Sequence, residues 1–356
     1  MTLAELGWTD AFAAAHEPWQ SKKDVRPGRV GIEFNQIFRI YVDGGELDAV
    51  TAGRLKHRAR GRAELPAVGD WVAVRRRPEE DRGVILGVLP RRSAFTRRAA
   101  GEVTSEQVVA ANVDVVFVVM GLDRDFNLRR LERYLLMGRE SGALPAILLT
   151  KPDLCSDLSA HVRDVTSLAG DVVVHVINPK YGEGLEQLRE HLGAGRTAAL
   201  LGSSGVGKST IINRLVGPDI RRTREVRASD SRGRHTTSHR ELVVLPGGGL
   251  IIDTPGMREL QLWDAAEGVR ETFDDIETLA AGCHFTDCRH RNEPRCAVKA
   301  AVEAGRLAPD RLESYLKLQG ELADLAQRKE ERVRLEPDST GKTRATIVKR
   351  RSNRIR

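Results

Sequence analysis

The spacing of apolar residues along this chain changes several times, and each change marks a different kind of building unit. Before about Pro27 the apolar positions Leu3, Leu6, Trp8, Phe12 and Trp19 make one short amphipathic stretch, suited to a small helix packed on a neighbour. Between about Arg29 and Leu89 the period falls to two. Val30, Ile32 and Phe34 alternate with other residues, Phe38, Ile40 and Val42 do the same, and Asp43-Gly44-Gly45 follows as a turn. Trp71-Val72-Ala73-Val74 and Val84-Ile85-Leu86 come later. Short strands separated by turn signals predict a small antiparallel barrel, with an oligonucleotide-binding (OB) barrel the leading form and an SH3-like barrel left open. Aromatic residues are few, so RNA bound by such a barrel is expected to be held by its backbone.

From about Asn112 the pattern becomes alternating strand and helix. The apolar run Val113 to Met120 suits a buried parallel strand, and Leu128, Leu131, Leu135 and Leu136 follow at helical spacing. Ala146 to Leu149, Val172 to Ile177 and Ala198 to Leu201 are further strands, with a helix from about Leu185 to Leu192. Leu242 to Leu245 and Leu250 to Ile252 read as a hairpin around Gly247-Gly248-Gly249. This is the signature of a doubly wound α/β domain, whose ligands sit at the carboxyl ends of the strands. After about Leu262 the sequence turns acidic and helical, carries a cysteine cluster, and stays helical to about Gln327. From Arg328 onward it is charged, poor in large apolar residues and expected to be disordered. The expected division is an N-terminal extension (1–28), a barrel (29–95), an α/β domain (96–262), a helical metal-binding domain (263–327) and a basic tail (328–356).

At 356 residues the chain is long enough for two or three domains with cores. It has no run of about twenty apolar residues to span a membrane, and its N-terminus does not read as a signal peptide. A cytoplasmic monomer with no membrane contact is expected. The net charge of +7 is unevenly placed: of 57 Lys and Arg and 50 Asp and Glu, eleven and four lie between Arg328 and Arg356, leaving 46 of each elsewhere. Local basic clusters occur at Arg54 to Arg62, Arg75 to Arg77, Arg91 to Arg98 and Arg221 to Arg234. Such clusters suit a polyphosphate partner, although a solvated basic tail needs none.

Three segments carry nucleotide chemistry, in an unusual order. Gly202-Ser203-Ser204-Gly205-Val206-Gly207-Lys208-Ser209 fits Gly-x4-Gly-Lys-Ser between a strand and a helix that starts at Thr210. Its backbone N–H groups would cradle phosphates, Lys208 would reach the β- and γ-phosphates, and the Ser209 hydroxyl would bind Mg²⁺. Thr150-Lys151-Pro152-Asp153, at a strand end, selects guanine, because a carboxylate can accept from both N1–H and the N2 amino group while adenine offers no such pair. The usual first residue there is Asn, so Thr150 is a departure. Asp253-Thr254-Pro255-Gly256 supplies a carboxylate for the Mg²⁺ shell and the Gly256 N–H for the γ-phosphate. Met257 follows, where many GTPases place a water-orienting Gln, so slow intrinsic hydrolysis is expected. Between these loops Gly233-Arg234-His235-Thr236-Thr237 offers Thr237, with Thr236 as alternative, to the metal. It also offers His235 to position or deprotonate water. The base-reading loop thus precedes the phosphate loop, the reverse of the ordinary order, as in a circularly permuted domain.

Cys283-x4-Cys288-x-His290-x5-Cys296 provides three thiolates and an imidazole in a short, loop-like stretch, a set suited to one structural, tetrahedral Zn²⁺. His284 is the competing nitrogen, made awkward by its adjacency to Cys283. Cys155 has no sequence neighbour to pair with and reads as a small packing residue.

Together these residues resemble the circularly permuted small ribosomal subunit biogenesis GTPases of the RsgA (YjeQ) family, over almost the whole chain. The resemblance rests on Thr150 to Asp153 preceding the phosphate loop, on Gly233 to Thr237, on Asp253 to Gly256 and on the Cys/Cys/His/Cys spacing. It implies an N-terminal OB barrel, a circularly permuted P-loop GTPase domain and a C-terminal zinc module. It also implies slow GTP hydrolysis to GDP until the small ribosomal subunit and its rRNA stimulate it, late maturation of that subunit, and help in releasing an assembly factor. By resemblance, Cys283, Cys288, His290 and Cys296 hold Zn²⁺ and His235 is the catalytic candidate. One segment departs from the GTPase pattern. A base-supporting Ser-Ala would fall at Asn178-Pro179, and Pro179 lacks the N–H commonly offered to guanine O6.

Overall fold

The computed structural model describes residues 1–77, 82–98, 106–217, 240–253 and 273–335. The period-two segments form strands. β1 (Val25–Phe34) pairs antiparallel with β2 (Ile37–Val42), and β2 with β3 (Gly45–Thr51). The turn after β3 leads through α2 (Gly53–Arg58) to β4 (Trp71–Arg77), which pairs with β5 (Arg82–Val88) and closes on β1. β3 and β5 lie side by side in parallel, the one departure from the antiparallel expectation. The closed order 1-2-3-5-4 is that of an OB-type Greek-key barrel. Its interior is filled by Val30, Ile40, Leu47, Val72, Val74 and Ile85, from alternate positions of the strands. The sequence pattern did not single out β3, whose inward Leu47, Ala49 and Thr51 are separated by Asp48 and Val50.

The N-terminal stretch folds as expected. Leu6 is buried, and α1 (Asp10–Gln20) lays Phe12 against Trp71, with ring centroids 5.7 Å apart, while Trp8 lies edge-on to Trp71 at 4.7 Å. Beneath them the fully buried Arg29 donates from Nε to the Gly69 carbonyl at 3.2 Å, from Nη2 to the Asn112 carbonyl at 3.0 Å, and from Nη1 to the Leu6 carbonyl. Burial pulls its guanidinium down to about 10, partly opposed by the carboxylates of Asp114 and Asp70, so it stays charged at neutral pH. Arg91 is equally structural, since it grips the buried Asp70 with two bonds of 2.7 Å.

After a ribbon of β6 (Ala94–Arg98) and β7 (Glu106–Ala111), the α/β sheet begins. Its parallel strands are β8 (Val115–Gly121), β9 (Leu144–Thr150), β10 (Val174–Val176), β11 (Thr197–Leu201) and β13 (Leu250–Asp253), with β12 (Arg240–Val244) antiparallel to β13. Every residue of β8 is buried, as a strand covered on both faces requires. The helices are α3 (Leu128–Glu140), α4 (Leu158–Ala169), α5 (Leu185–His191) and α6 (residues 208–217). The spatial order is β10-β9-β8-β11-β13-β12. β11 is therefore central, with the three strands that precede it in the chain on one side and the two that follow it on the other. The barrel continues this sheet: β1 pairs antiparallel with β12 through Ile32↔Glu241 and Glu33↔Arg240. The Tyr41 hydroxyl donates to the Leu242 carbonyl at 3.2 Å across the same seam.

A second compact unit holds α7 (Asp274–Ala280), α8 (Ala297–Glu303) and α9 (Pro309–Leu335). Phe273 is fully buried against Tyr315, and the Tyr315 hydroxyl donates to Glu277 at 2.9 Å. α9 runs to Leu335, past the Arg328 where the charged tail begins in sequence, and residues 336–356 lie outside the described residues. Among the described residues no helix is long and apolar enough to cross a membrane.

Candidate functional site

The phosphate loop leaves the carboxyl end of β11 where a side chain would not fit. A Cβ on Gly202 would lie 2.4 Å from the Val119 carbonyl oxygen, and its φ is +157°. Val206 plugs the loop into the core at 1% exposure, whereas Ser204, Ser209 and Thr210 face outward. Lys208 Nζ donates to the carbonyls of Gly202 at 2.7 Å and Ser203 at 2.5 Å. α6 starts at this lysine, and the unpaired N–H groups of a helix's first turn attract an anion.

The base-reading loop begins at the end of β9. Thr150 is fully buried, and its hydroxyl donates to the Val206 carbonyl of the phosphate loop at 2.7 Å. Threonine at a position where Asn is usual thus still ties the two loops together. Lys151 stands in the left-handed region at φ 58°, ψ 45°, a conformation that costs a residue with a Cβ about 1–2 kcal/mol. An ion pair from its Nζ to Asp123 Oδ2 at 2.5 Å holds it, and that hydrogen bond keeps the Asp123 carboxyl below the usual carboxylate range. Pro152 opens a short 3-10 turn (Pro152–Leu154) that presents Asp153.

Asp153 Oδ1 accepts from Asn178 Nδ2 at 3.0 Å. Asn178 is buried, and its carbonyl collects the N–H groups of Tyr181, Gly182 and Glu183. Arg214 of α6 braces the same turn by donating to the carbonyls of Pro179 at 3.0 Å and Lys180 at 2.6 Å. At the Asn178-Pro179 departure, Pro179 offers no N–H, and Asn178 is tied to the Asp153 carboxylate. Sequence reasoning missed Asn178 in that role, because its partner lies 25 residues away with no spacing to betray it. Asp253 sits half-buried at the end of β13, on the same carboxyl edge. His235, Thr236, Thr237, Gly256 and Met257 lie outside the described residues.

Cys155 is not isolated, as its sequence suggested. Its sulfur lies 3.6 Å from His161 Nδ1, which also faces the Asp157 carbonyl at 2.7 Å.

In the second unit, ligand atoms of Cys283, Cys288, His290 and Cys296 all lie within 4.8 Å of one another and could hold a metal ion. Cys283 Sγ is 3.8 Å from Cys296 Sγ and 3.6 Å from His290 Nδ1, and His290 Nδ1 is 3.4 Å from Cys296 Sγ. His284 stays out of the group, with its ring against Phe285. Two left-handed residues, His290 and Arg295 at φ 56° each, fold the loop back on itself. Burial works against ionising Cys283, but N–H groups of Val298 and Ala297 at the start of α8 outweigh it and bring the thiol down. Burial and the neighbouring thiols push Cys288 up to about 11. Burial also lowers His290, so its imidazole is neutral and ready to donate a lone pair.

The chain has many known relatives. A sequence family described as RsgA GTPase matches residues 88–263. The small ribosomal subunit biogenesis GTPase RsgA of Opitutus terrae is 50% identical over 337 residues, 92% of this chain and 92% of that protein. The protein of the same name from Syntrophotalea carbinolica is 43% identical over 331 residues, 91% of this chain and 90% of its own. Among solved structures, YjeQ from Thermotoga maritima matches with a TM-score of 0.62 at 27% identity, covering 84% of this chain and 99% of that one. YloQ, a circularly permuted GTPase, matches in fold with a TM-score of 0.58 at 24% identity, covering 86% of this chain and 97% of its own. Identity of 50% over 92% of both chains is that of one architecture inherited whole, and the chain belongs to the RsgA GTPase family.

Proposed function

We propose that this GTPase binds GTP with Mg²⁺ along the carboxyl edge of β9, β10, β11 and β13. In this reading it hydrolyses GTP slowly until a small ribosomal subunit stimulates it, assists late maturation of that subunit, and uses its nucleotide state to time its own release and that of an assembly factor. The observation that carries the reading is the joining of the two loops, with the Thr150 hydroxyl on the Val206 carbonyl and Asp153 aimed by Asn178. A base reader hydrogen-bonded to a phosphate cradle suits a guanine nucleotide. The printed name of the relatives supports the small ribosomal subunit as the partner.

In this reading Asp153 accepts from guanine N1–H and N2, and the Lys151 stem lies along the base. The N–H groups from Gly202 through Ser203, Ser204, Gly205, Val206 and Gly207 to Lys208, Ser209 and Thr210 receive the phosphates. The Lys208 ammonium offsets the charge spread over the transferring phosphoryl oxygens. Ser209, Thr237 and Asp253 would hold Mg²⁺, which would supply positive charge against that of the phosphates. By the motif pattern, the Gly256 N–H would serve the γ-phosphate, and His235 would orient or deprotonate the attacking water that Met257 cannot serve.

The metal of the cysteine cluster is read as one structural Zn²⁺. Zinc–sulfur bonds of about 2.3 Å and a zinc–nitrogen bond of about 2.0–2.1 Å give tetrahedral edges of about 3.8 Å for S···S and 3.6 Å for S···N. The observed separations among Cys283, His290 and Cys296, 3.8, 3.6 and 3.4 Å, fit one face of that tetrahedron, and Cys288 lies within 4.8 Å of all three. The barrel and this metal-stapled unit would grip rRNA.

The test is GTP turnover with and without purified small subunits. Stimulation is expected, and its absence overturns the ribosomal reading. His235→Ala should bind GTP normally and lose about 100-fold of the stimulated rate. Full stimulated turnover in that variant removes His235 from the mechanism.

A further inference from the structure

One side chain that no motif marks touches the phosphate loop. Arg130, in the first turn of α3, places Nη1 2.5 Å from Ser203 Oγ and 2.5 Å from Asp125 Oδ1. That nitrogen carries two hydrogens, one for each acceptor. Tyr134, one helical turn further on, brings its hydroxyl to 3.4 Å from the same Ser203 oxygen. Ser203 is also held at its carbonyl, by Lys208 Nζ at 2.5 Å. Its position is variable in the Gly-x4-Gly-Lys-Ser pattern, so the motif itself gives this hydroxyl no task.

The segment that delivers Arg130 is built for reach at both ends. Asp123 Oδ1 accepts the Asp125 N–H at 3.1 Å, while its other oxygen holds Lys151 of the base-reading loop. Asn127 caps α3 by accepting the Arg130 N–H at 2.9 Å, which fixes where the arginine leaves the helix. Residues 123–130 thus brace the base reader at one end and the phosphate loop at the other.

We propose that Arg130 is a positioning residue for GTP binding, clamping Ser203 so that the phosphate loop stands ready before nucleotide arrives. The inference rests on reading residues 202–209 as the phosphate loop. That loop contains Gly202, Gly205 and Gly207, and a glycine-rich segment loses much freedom when it is ordered around a ligand. An arginine already anchored on Asp125 bears part of that ordering in the free protein, which strengthens binding by preorganisation. A planar guanidinium can serve two acceptors in fixed directions, and a lysine on a flexible stem cannot hold both in place. Because the clamp acts on ground state and transition state alike, its loss should raise KM and leave kcat nearly unchanged.

The experiment is a double-mutant cycle on the full chain with Arg130→Ala, Ser203→Ala and both together, reading GDP affinity, KM and kcat. Each single change should weaken GDP about tenfold, and the double should be no weaker than either single. Arg130→Lys should fail to restore affinity. Discrimination between GDP and inosine diphosphate, which lacks the N2 amino group, should stay as in the unaltered protein. Multiplying effects, unchanged GDP affinity in Ser203→Ala, or collapse of the GDP-over-inosine preference each overturns the proposal. If Arg130→Ala folds poorly, Arg130→Gln takes its place, and the Ser203→Ala result stands independently. Lys208→Ala separates the two readings: unchanged affinity there sinks the phosphate loop itself, whereas unchanged affinity only in the Arg130 and Ser203 variants sinks the clamp.

Discussion

Asn178 donates its amide to Asp153 at 3.0 Å and so decides which way that carboxylate faces. Replacing it with Ala leaves Asp153 to find its orientation on binding, and GTP affinity is expected to fall about tenfold in a fluorescence titration. Asp153→Asn exchanges an acceptor for an N–H donor where guanine presents only donors. That variant should lose GTP and gain binding of xanthosine triphosphate, whose 2-oxo group accepts. Unaltered GTP preference in it would remove Asp153 from base recognition. At this scale the sequence announced the candidate ligand-binding residues, because Thr150 to Asp153 and Gly202 to Ser209 are contiguous patterns. It kept silent about the residues that aim them. Asn178 is 25 positions from its partner and Arg130 is 73 from Ser203, distances at which no local spacing survives.

Among the elements, those with one dominant period were legible and those with compromised faces were not. β8 is apolar throughout because both its faces are covered, so it stood out. α4 buries only Val165 and Ala169, and its polar remainder left no helical stripe to read. β10 holds only three residues of the six-residue run that suggested it. It does carry a titratable contact: His175 Nε2 lies 2.9 Å from Nε2 of His191 on α5, so one imidazole donates and the other accepts. Around them stand the Phe117 ring, Glu190 and Arg196. Burial lowers both histidines, opposed for each by Glu190, while His175 and Arg196 lower His191 further. A group lowered in the folded state takes up its proton more readily when unfolded. Its stabilising contribution is thus complete above the ordinary value of about 6.5 and fades as pH falls below it. Melting temperature should therefore drop between about pH 7 and pH 5, and less steeply in His175→Gln with His191→Gln. Parallel melting curves for the two proteins would show that the contact is not titrating.

For the molecule as a whole, the order of motifs revealed the permutation, and the central place of β11 bears it out. The joining of barrel to sheet could not be read, since it rests on scattered long-range contacts: the buried Arg29, the Tyr41 hydroxyl on Leu242 and the backbone pairing of Ile32 and Glu33. Arg29 bonds to carbonyls of the N-terminal stretch, the barrel and the segment leading to β8, and all three lose a partner when it is removed. Arg29→Met should destabilise the protein by about 3–5 kcal/mol in urea unfolding, far more than a surface arginine. A loss below about 1 kcal/mol would mean that water satisfies those carbonyls.

The seam between β1 and β12 also bears on what can be cut away. β12 is the outermost strand of the α/β sheet, and Ile32 and Glu33 of the barrel are its neighbours on that side. A truncated protein lacking the barrel would not be a minimal GTPase. It would leave the backbone of β12 unanswered at Arg240 and Glu241, where Glu33 and Ile32 pair with it, inviting another copy to zip onto that edge. In this architecture the OB-type barrel doubles as a hem, finishing an edge that would otherwise fray into aggregates.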